Sequence, residues 1–319
     1  MGDDYIYKLE PKKVAIIMAT YNGENYIEAQ LKSIKAQSYT NYCCFIHDDN
    51  SNDRTKEILQ KFCCQNKEHF VIIDSPPRGG AKENFMYLLK SISADYIMFC
   101  DQDDIWFPNK IERTLNEMKK IENGENYVCV HSDLKVVNSE LDILNSSYYN
   151  YTGKNPNRNR LNHLLIENVV VGCTMMINSN LRTQALKVEN ENNIFMHDWW
   201  IALIAATEGE LVFIEEPLML YRQHEGNSVG AFTSKSFLDK LIQYIYLKKT
   251  IDKKFFKINR ARKFAKELSN IIDNRNAYYK FIKEYSVIKR ESKIKRIKFY
   301  YKNKLFNDNK SIFWQLLWV

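Results

Sequence analysis

The sequence predicts an α/β fold, with a parallel sheet and crossover helices in the first half and a basic helical appendage after it. Three observations lead there. Short apolar runs alternate with segments of helical spacing between residues 13 and 121. Polar clusters close the apolar runs. From residue 235 to the end there is no Gly or Pro, and 23 Lys and Arg stand against 7 Asp and Glu.

Taken in order, "KVAIIMAT" is a β-rich run, and "NYIEAQLKSIKAQ" sets Ile27, Leu31 and Ile34 on one helical face. "YCCFIHDD" reads as a second strand and "SNDRTKEILQKFCC" as a second helix opened by polar caps. "FVIID" is a third strand. "SPPRGG" breaks the chain before the helix "AKENFMYLLKSI" and the strand "ADYIMFC". This alternation makes a parallel sheet whose ligands bind at the C-terminal strand ends. Three of those ends carry "TYNGE", "HDDNSND" and "DQDD", so polar residues collect on one sheet edge. After "PNKIERTLNEMKKIENG" the pattern changes: "NYVCVHSDLKVVN" and "VVVGCTMMIN" read as strands, "LNHLLIEN" and "HDWWIALIAATEG" as helices. "ELVFIEEPLMLYRQH" reads as extended and "YYNYTGKNPNRNR" as a long loop.

The chain has 319 residues, 45% hydrophobic and 27% charged, ordinary for a soluble globular protein of one large domain with an appendage. The start "MGDDYIYKLEPKK" has no apolar core, so no secretory leader is expected, and Ile6 breaks the myristoylation pattern. No apolar stretch approaches the ~20 residues of a membrane span. Seven cysteines, four of them in adjacent pairs and none in a C-x-x-C, read as small hydrophobes in a reducing cytoplasm. The net charge of +7 hides an asymmetry, because the first 234 residues carry 23 basic and 32 acidic side chains. The two parts therefore face different partners, or each other.

Asp101, Asp103 and Asp104 follow a buried strand directly. Clustered carboxylates repel, and a hard divalent cation, Mg²⁺ or Mn²⁺, relieves that repulsion while offsetting a diphosphate. Capping of the helix near Pro108 is the structural reading, strongest for Asp104. Asp48 and Asp49 can accept hydrogen bonds from a nucleobase or ribose, although this stretch also suits a helix start. Lys82 and Asn84, at a helix start after "RGG", suit a nucleotide or sugar, or only the turn. His224 can reach a metal or diphosphate, or be structural.

The combination "VAIIMATYNGENYIEAQLKSI", "HDDNSNDRT" and "FCDQDDIWFPNKI" resembles family 2 glycosyltransferases of the GT-A fold, over roughly residues 12–228. With "GCTMMIN", "HDWW" and "YRQHEGNSVGA" it looks most like bacterial rhamnosyltransferases building capsule, O-antigen or wall polysaccharide. The resemblance implies a Rossmann-like mixed sheet flanked by helices, a catalytic domain at 1–230 and a basic aromatic region at 231–319. It implies Thr20 and Tyr21 beside the base, with Glu24 and Gln102 also on the donor side. Asp101 and Asp103 would hold the metal, joined by His224. Asp198 falls on the family's catalytic base, although His197 replaces the usual preceding Glu. Gly172, Cys173, Trp199 and Trp200 would lie toward the acceptor, with at least one Trp in the core.

An inverting displacement needs a base for the acceptor hydroxyl and a cation for the leaving diphosphate. The implied reaction moves L-rhamnose from dTDP-rhamnose onto a growing, lipid-linked polysaccharide. The alternatives are a UDP-hexose transferase, a nucleotidyltransferase, or a non-catalytic nucleotide-sugar-binding assembly subunit. The tail, with "LIQYIYLKKTIDKKFFKINRARKFAKEL", "KIKRIKFYYKNKLF" and "SIFWQLLWV", suits either an anionic membrane surface at the inner face of the cell membrane or packing on the acidic domain. It matches no nucleic-acid module.

Overall fold

In the computed structural model, residues 6–10, 13–224 and 247–306 are described, with side chains of the last helix-rich part from 259 onward. The first half runs β1 (Tyr7–Lys8), β2 (Val14–Thr20), α1 (Ile27–Lys35), β3 (Tyr42–Asp48), α2 (Thr55–Gln65), β4 (Phe70–Ile72) and α3 (Ala81–Ser91). It continues with β5 (Ile92–Ser93), β6 (Tyr96–Cys100), β7 (Ile105–Trp106) and α4 (Lys110–Ile121). The second half holds β8 (Val128–Val137), β9 (Ile143–Asn145), α5 (Tyr148–Thr152), α6 (Leu161–Leu164), β10 (Met176–Asn178), α7 (Ser179–Ala185), α8 (His197–Glu208) and β11 (Glu210–Arg222). Three helices close the described chain: α9 (Leu247–Ile271), α10 (Tyr279–Val287) and α11 (Lys293–Lys302).

The main sheet has the order β4-β3-β2-β6-β10-β8-β11-β7, with β9 paired to β8. β4, β3, β2 and β6 are parallel, and their near-continuous apolar sequence follows from burial on both faces. The expected parallel sheet becomes mixed where β10 inserts antiparallel between β6 and β8. β11 runs parallel to β8 with register breaks around Pro217, which has no N–H for the ladder. Those breaks carry the strand on to Arg222, beside the aspartate turn. β7 pairs antiparallel with β11, so the "DQDD" turn is held between β6 and an edge strand.

The basic C-terminal helices pack on the sheet domain. Ala261, Phe264, Ala265 and Leu268 of α9 are buried, and the Phe264 ring lies 5.1 Å from Trp199 and 6.4 Å from Trp200. The expected division between residues 230 and 231 lies outside the described residues, as do the last part of "YRQHEGNSVGA" and "SIFWQLLWV". All seven cysteines are free thiols, six buried and Cys64 exposed. Among the described residues no helix is long and apolar enough to cross a membrane.

Candidate active site

Register gathers the site. Thr20 at the end of β2 pairs with Asp48 at the end of β3, and Met18 pairs with Cys100 at the end of β6. The three following loops therefore leave the same sheet edge and wall a cleft of about 840 Å³. Two loop residues take a left-handed backbone, Asn22 at φ 48° and Asn50 at φ 65°. Asparagine tolerates that conformation better than most residues, and such positions concentrate at functional sites.

Asp101 and Asp103 face the cleft, whereas Asp104 is fully buried. Arg222 clamps the turn from β11: its backbone N–H donates to Asp104 Oδ1 at 3.3 Å, and its Nε donates to the Asp103 carbonyl at 2.9 Å. His224 Nε2 lies 2.8 Å from Asp103 Oδ2, with its ring packed 4.5 Å from Tyr26. Burial first, then the Asp103 and Asp198 carboxylates, pushes the Asp101 carboxyl up to about 7. Burial, then the Asp103 and Asp101 carboxylates, raise Asp104 as well. Below them Lys110 is fully buried, donating to the Cys173 carbonyl at 2.6 Å and lying 4.1 Å from the Trp106 ring centre.

Among the described residues one cluster of candidate cation-ligand atoms is present. Ligand atoms of Asp101, Asp104 and Cys173 lie within 4.8 Å of one another, but burial keeps the Cys173 thiol protonated and the Lys110 ammonium sits against this group. Asp101 and Asp103, which both line the cleft, offer the carboxylate oxygens that Mg²⁺ or Mn²⁺ takes, while His224, expected beside them, is not among the cleft-lining residues and contacts Asp103.

Asp198 lies in the first turn of α8 and faces the same cleft. Its Oδ1 accepts from the Trp199 backbone N–H at 2.6 Å. Burial raises its carboxyl to about 6, against hydrogen bonds from Trp199, Gly172 and Asn168 and the charge of Lys154. A carboxylate so placed takes a proton at neutral pH without being permanently protonated itself.

Comparison with known proteins matches this geometry to a family. The family model described as "Glycosyl transferase family 2" matches residues 15–183. The chain belongs to glycosyl transferase family 2. A dTDP-rhamnosyl transferase, RfbG, of Shigella flexneri is 35% identical over 224 residues, covering 67% of this chain and 74% of the relative. The Escherichia coli enzyme WfgD, a UDP-Glc:alpha-D-GlcNAc-diphosphoundecaprenol beta-1,3-glucosyltransferase, is 29% identical over 55% of this chain and 60% of its own length. Among solved structures, S. aureus TarS 1-349 in complex with UDP-GlcNAc superposes with a TM-score of 0.56 at 15% identity, covering 96% of this chain and 78% of that one. The mannosyltransferase PcManGT from Pyrobaculum calidifontis, in complex with GDP-Man and Mn²⁺, gives 0.53 at 10% identity, covering 92% and 74%. These neighbours share the GT-A fold, which is the fold of this glycosyltransferase.

In this family 2 glycosyltransferase the cleft brings together Thr20, Tyr21, Asp49, Asn84, Asp101, Gln102, Asp103, Gly172, Asp198 and Trp199 from the sequence reading. Several of these spend their polar atoms on building the cleft. Asp49 accepts backbone N–H groups of Arg78, Gly79 at 3.0 Å and Gly80 at 2.8 Å, and so shapes the "RGG" loop. Gln102 exchanges two 2.8 Å hydrogen bonds with the Tyr21 backbone, tying the first loop to the aspartate turn. Asn84 is bound to His47 through both amide atoms.

Other expected contacts do not reach the cleft. Asp48 accepts from Thr20 Oγ1 at 2.9 Å and from the Ser51 N–H at 2.8 Å, so its carboxylate closes its own turn and Asp49 takes the cleft position. Glu24 accepts the Arg54 N–H at 3.0 Å, joining two loops. Lys82 Nζ donates to the carbonyls of Glu191 at 3.1 Å and Ile194 at 3.3 Å and stays behind the wall. Cys173 is buried beneath the turn. Trp200 is 0% exposed with its indole N–H on the Ala185 carbonyl, so it belongs to the core; Trp199 donates to the Leu164 carbonyl and still presents an edge.

The sequence reading missed Tyr148, Lys154, Asn168, Phe195 and Arg260, all of which line the cleft. Lys154 was legible only as a residue of a long loop. Arg260 comes from the C-terminal helix α9, where its guanidinium lies 3.3 Å over the Phe195 ring. No local motif marks it, since its place depends on how α9 docks.

Proposed function

We propose that this protein is an inverting, metal-dependent glycosyltransferase that moves L-rhamnose from dTDP-rhamnose onto a growing, lipid-linked cell-surface polysaccharide. The observation that carries the reading is Asp198 across one cleft from Asp101 and Asp103. The nucleoside lies along the β2 and β3 loops, with the half-exposed Tyr21 ring beside the base and Asp49 at the ribose. Asp101, Asp103 and His224 hold Mg²⁺ or Mn²⁺, which when bound offsets the charge of the leaving diphosphate. Asp198 takes the proton of the acceptor hydroxyl as it attacks the anomeric carbon from the side opposite the diphosphate. That displacement inverts the anomeric configuration. The acceptor enters past Gly172, Trp199 and Lys154. Rhamnose is supported by the 35% identical dTDP-rhamnosyl transferase.

The test is release of nucleoside diphosphate by purified protein from dTDP-, UDP- and GDP-sugars, with acceptor glycolipid, with and without Mn²⁺. Metal-dependent release of dTDP from dTDP-rhamnose is expected. Preference for a UDP-sugar would keep the mechanism and replace the sugar. Donor binding with no transfer under any condition would favour a non-catalytic assembly subunit, and pyrophosphate release a nucleotidyltransferase.

A peripheral contact with the inner face of an anionic membrane is supported by α11. Ile294 is 68% and Tyr301 51% exposed there, beside Lys295, Lys298 and Lys302. Substituting Lys295, Lys298 and Lys302 by Glu is expected to abolish co-sedimentation with anionic liposomes. Undiminished sedimentation would leave α11 as a solvent-facing helix.

A further inference from the structure

His197 opens α8 immediately before Asp198 and lines the cleft. Its side chain is 3% exposed, and among the described residues neither Nδ1 nor Nε2 has a hydrogen-bond partner. Buried polar atoms are almost always paired, so a ring with both nitrogens unpaired calls for an explanation. The imidazole is gripped between two aromatic rings, with Phe85 at 4.3 Å and Phe99 stacked at 5.2 Å between centroids. Packing alone does not account for histidine here, because a third phenylalanine would fill the same slot and leave nothing unpaired.

Gly172 packs directly beside the ring. A Cβ at that position would stand 3.1 Å from His197 Nε2 and 3.4 Å from Asp198 Cβ. The Gly172 backbone is not left-handed, so conformation does not demand glycine there, while the room between the imidazole and Asp198 does. Asp198, Gly172 and Asp101 line the same cleft as the ring.

We propose that His197 is a donor-sugar recognition residue, whose Nε2, on the side of Gly172 and Asp198, hydrogen-bonds a hydroxyl group of the hexose carried by the nucleotide. The inference rests on the glycosyltransfer reading above and adds the group that selects the sugar. Burial keeps the imidazole neutral, its pKa drawn down to about 3. A neutral ring leaves Nε2 a donor in one tautomer and an acceptor in the other, and a sugar hydroxyl can serve either. The aromatic clamp fixes the ring plane, so that hydroxyl is read at a set position.

The test measures binding of dTDP and of dTDP-rhamnose by calorimetry in Mn²⁺, using the full chain, with His197→Phe and His197→Gln. The readout is the ratio of the dTDP-rhamnose Kd to the dTDP Kd. His197→Phe keeps the packing and is expected to raise that ratio about tenfold, as the loss of hydrogen bonds to a buried sugar predicts. His197→Gln keeps a donor and an acceptor and is expected to recover part of the loss. An unchanged ratio in both variants overturns the inference. If either His197 variant fails to fold, Gly172→Ala decides: its methyl enters the space beside Nε2 and is expected to raise the ratio, and no change overturns the inference. Should the wild type bind another nucleotide sugar of a UDP and GDP panel instead, the same ratio is read with that pair. Wild-type protein that binds no nucleotide sugar at all overturns the proposed function itself, whereas equal sugar binding by wild type and variants overturns only the role of His197.

Discussion

Asp198 carries the sharpest residue-scale consequence. Its carboxyl is held near 6 by burial, and a base works only when deprotonated. The rate is therefore expected to rise with pH through about 6 and then level, which a kcat/KM profile on the donor with saturating acceptor would check. Asp198→Asn is expected to lower kcat by roughly 10²–10⁴-fold while donor affinity stays close to wild type. Under the proposed function, Asp103→Asn is expected to weaken Mn²⁺ binding at least about tenfold, since it removes one charged oxygen of the cleft and the group that His224 contacts. Calorimetric titration of Mn²⁺ would show it.

Single elements depend on a few cross-links whose effects are larger than their size suggests. The first loop and the aspartate turn meet through Gln102, which bonds the Tyr21 backbone twice. Gly23 makes room for it, because a Cβ there would come within 2.4 Å of Gln102 Oε1. Gln102→Ala is expected to cost about 1–2 kcal/mol, at about 1 kcal/mol for each net hydrogen bond reduced by partial exposure. It should also weaken nucleotide binding, because the loop carrying Tyr21 loses its tie; thermal melts with and without dTDP separate the two effects. Gly23→Val is expected to reproduce both by displacing the same amide. The elements themselves were legible where apolar periodicity was clear, as in α1 with Ile27, Leu31 and Ile34 on its buried face. Orientation was not legible in α8, which is apolar nearly all round and buries both Trp199 and Trp200. A helix without a polar stripe does not announce which side meets a cleft, so the sequence put at least one Trp in the core without marking it as Trp200.

Across the whole molecule, the acidic cleft and the docked C-terminal helices each contribute a testable share of the stability. The raised Asp101 and Asp198 carboxyls hold protons in the folded state that an unfolded chain would release. Their contribution is therefore present below about pH 4, the ordinary carboxyl range, and is lost as pH rises to about 7. In a chelator the melting temperature is expected to fall across that window, and Mn²⁺ is expected to reduce the fall by binding the ionised form. A melting temperature that ignores both pH and Mn²⁺ would contradict the site assignment. Phe264→Ala tests the docking of α9: the ring is fully buried against Trp199 and Trp200, and its loss is expected to cost about 3–5 kcal/mol. Donor turnover should fall with it, because α9 also delivers Arg260 to the cleft.

The sequence by itself determined the alternating strands and helices, the sheet edge where polar loops collect, the aspartate turn and the family. These are local properties: apolar period, caps, and short motifs whose residues are neighbours in the chain. Tertiary structure alone decided which carboxylates face the cleft, since the turn points Asp101 and Asp103 outward and buries Asp104 against Arg222. It also decided that β10 inserts antiparallel, that Lys82, Glu24 and Asp48 hold loops together rather than line the cleft, and that His197 finds no partner for either ring nitrogen among the described residues. Each of these depends on contacts between residues far apart in the chain, and periodicity carries no information about such contacts.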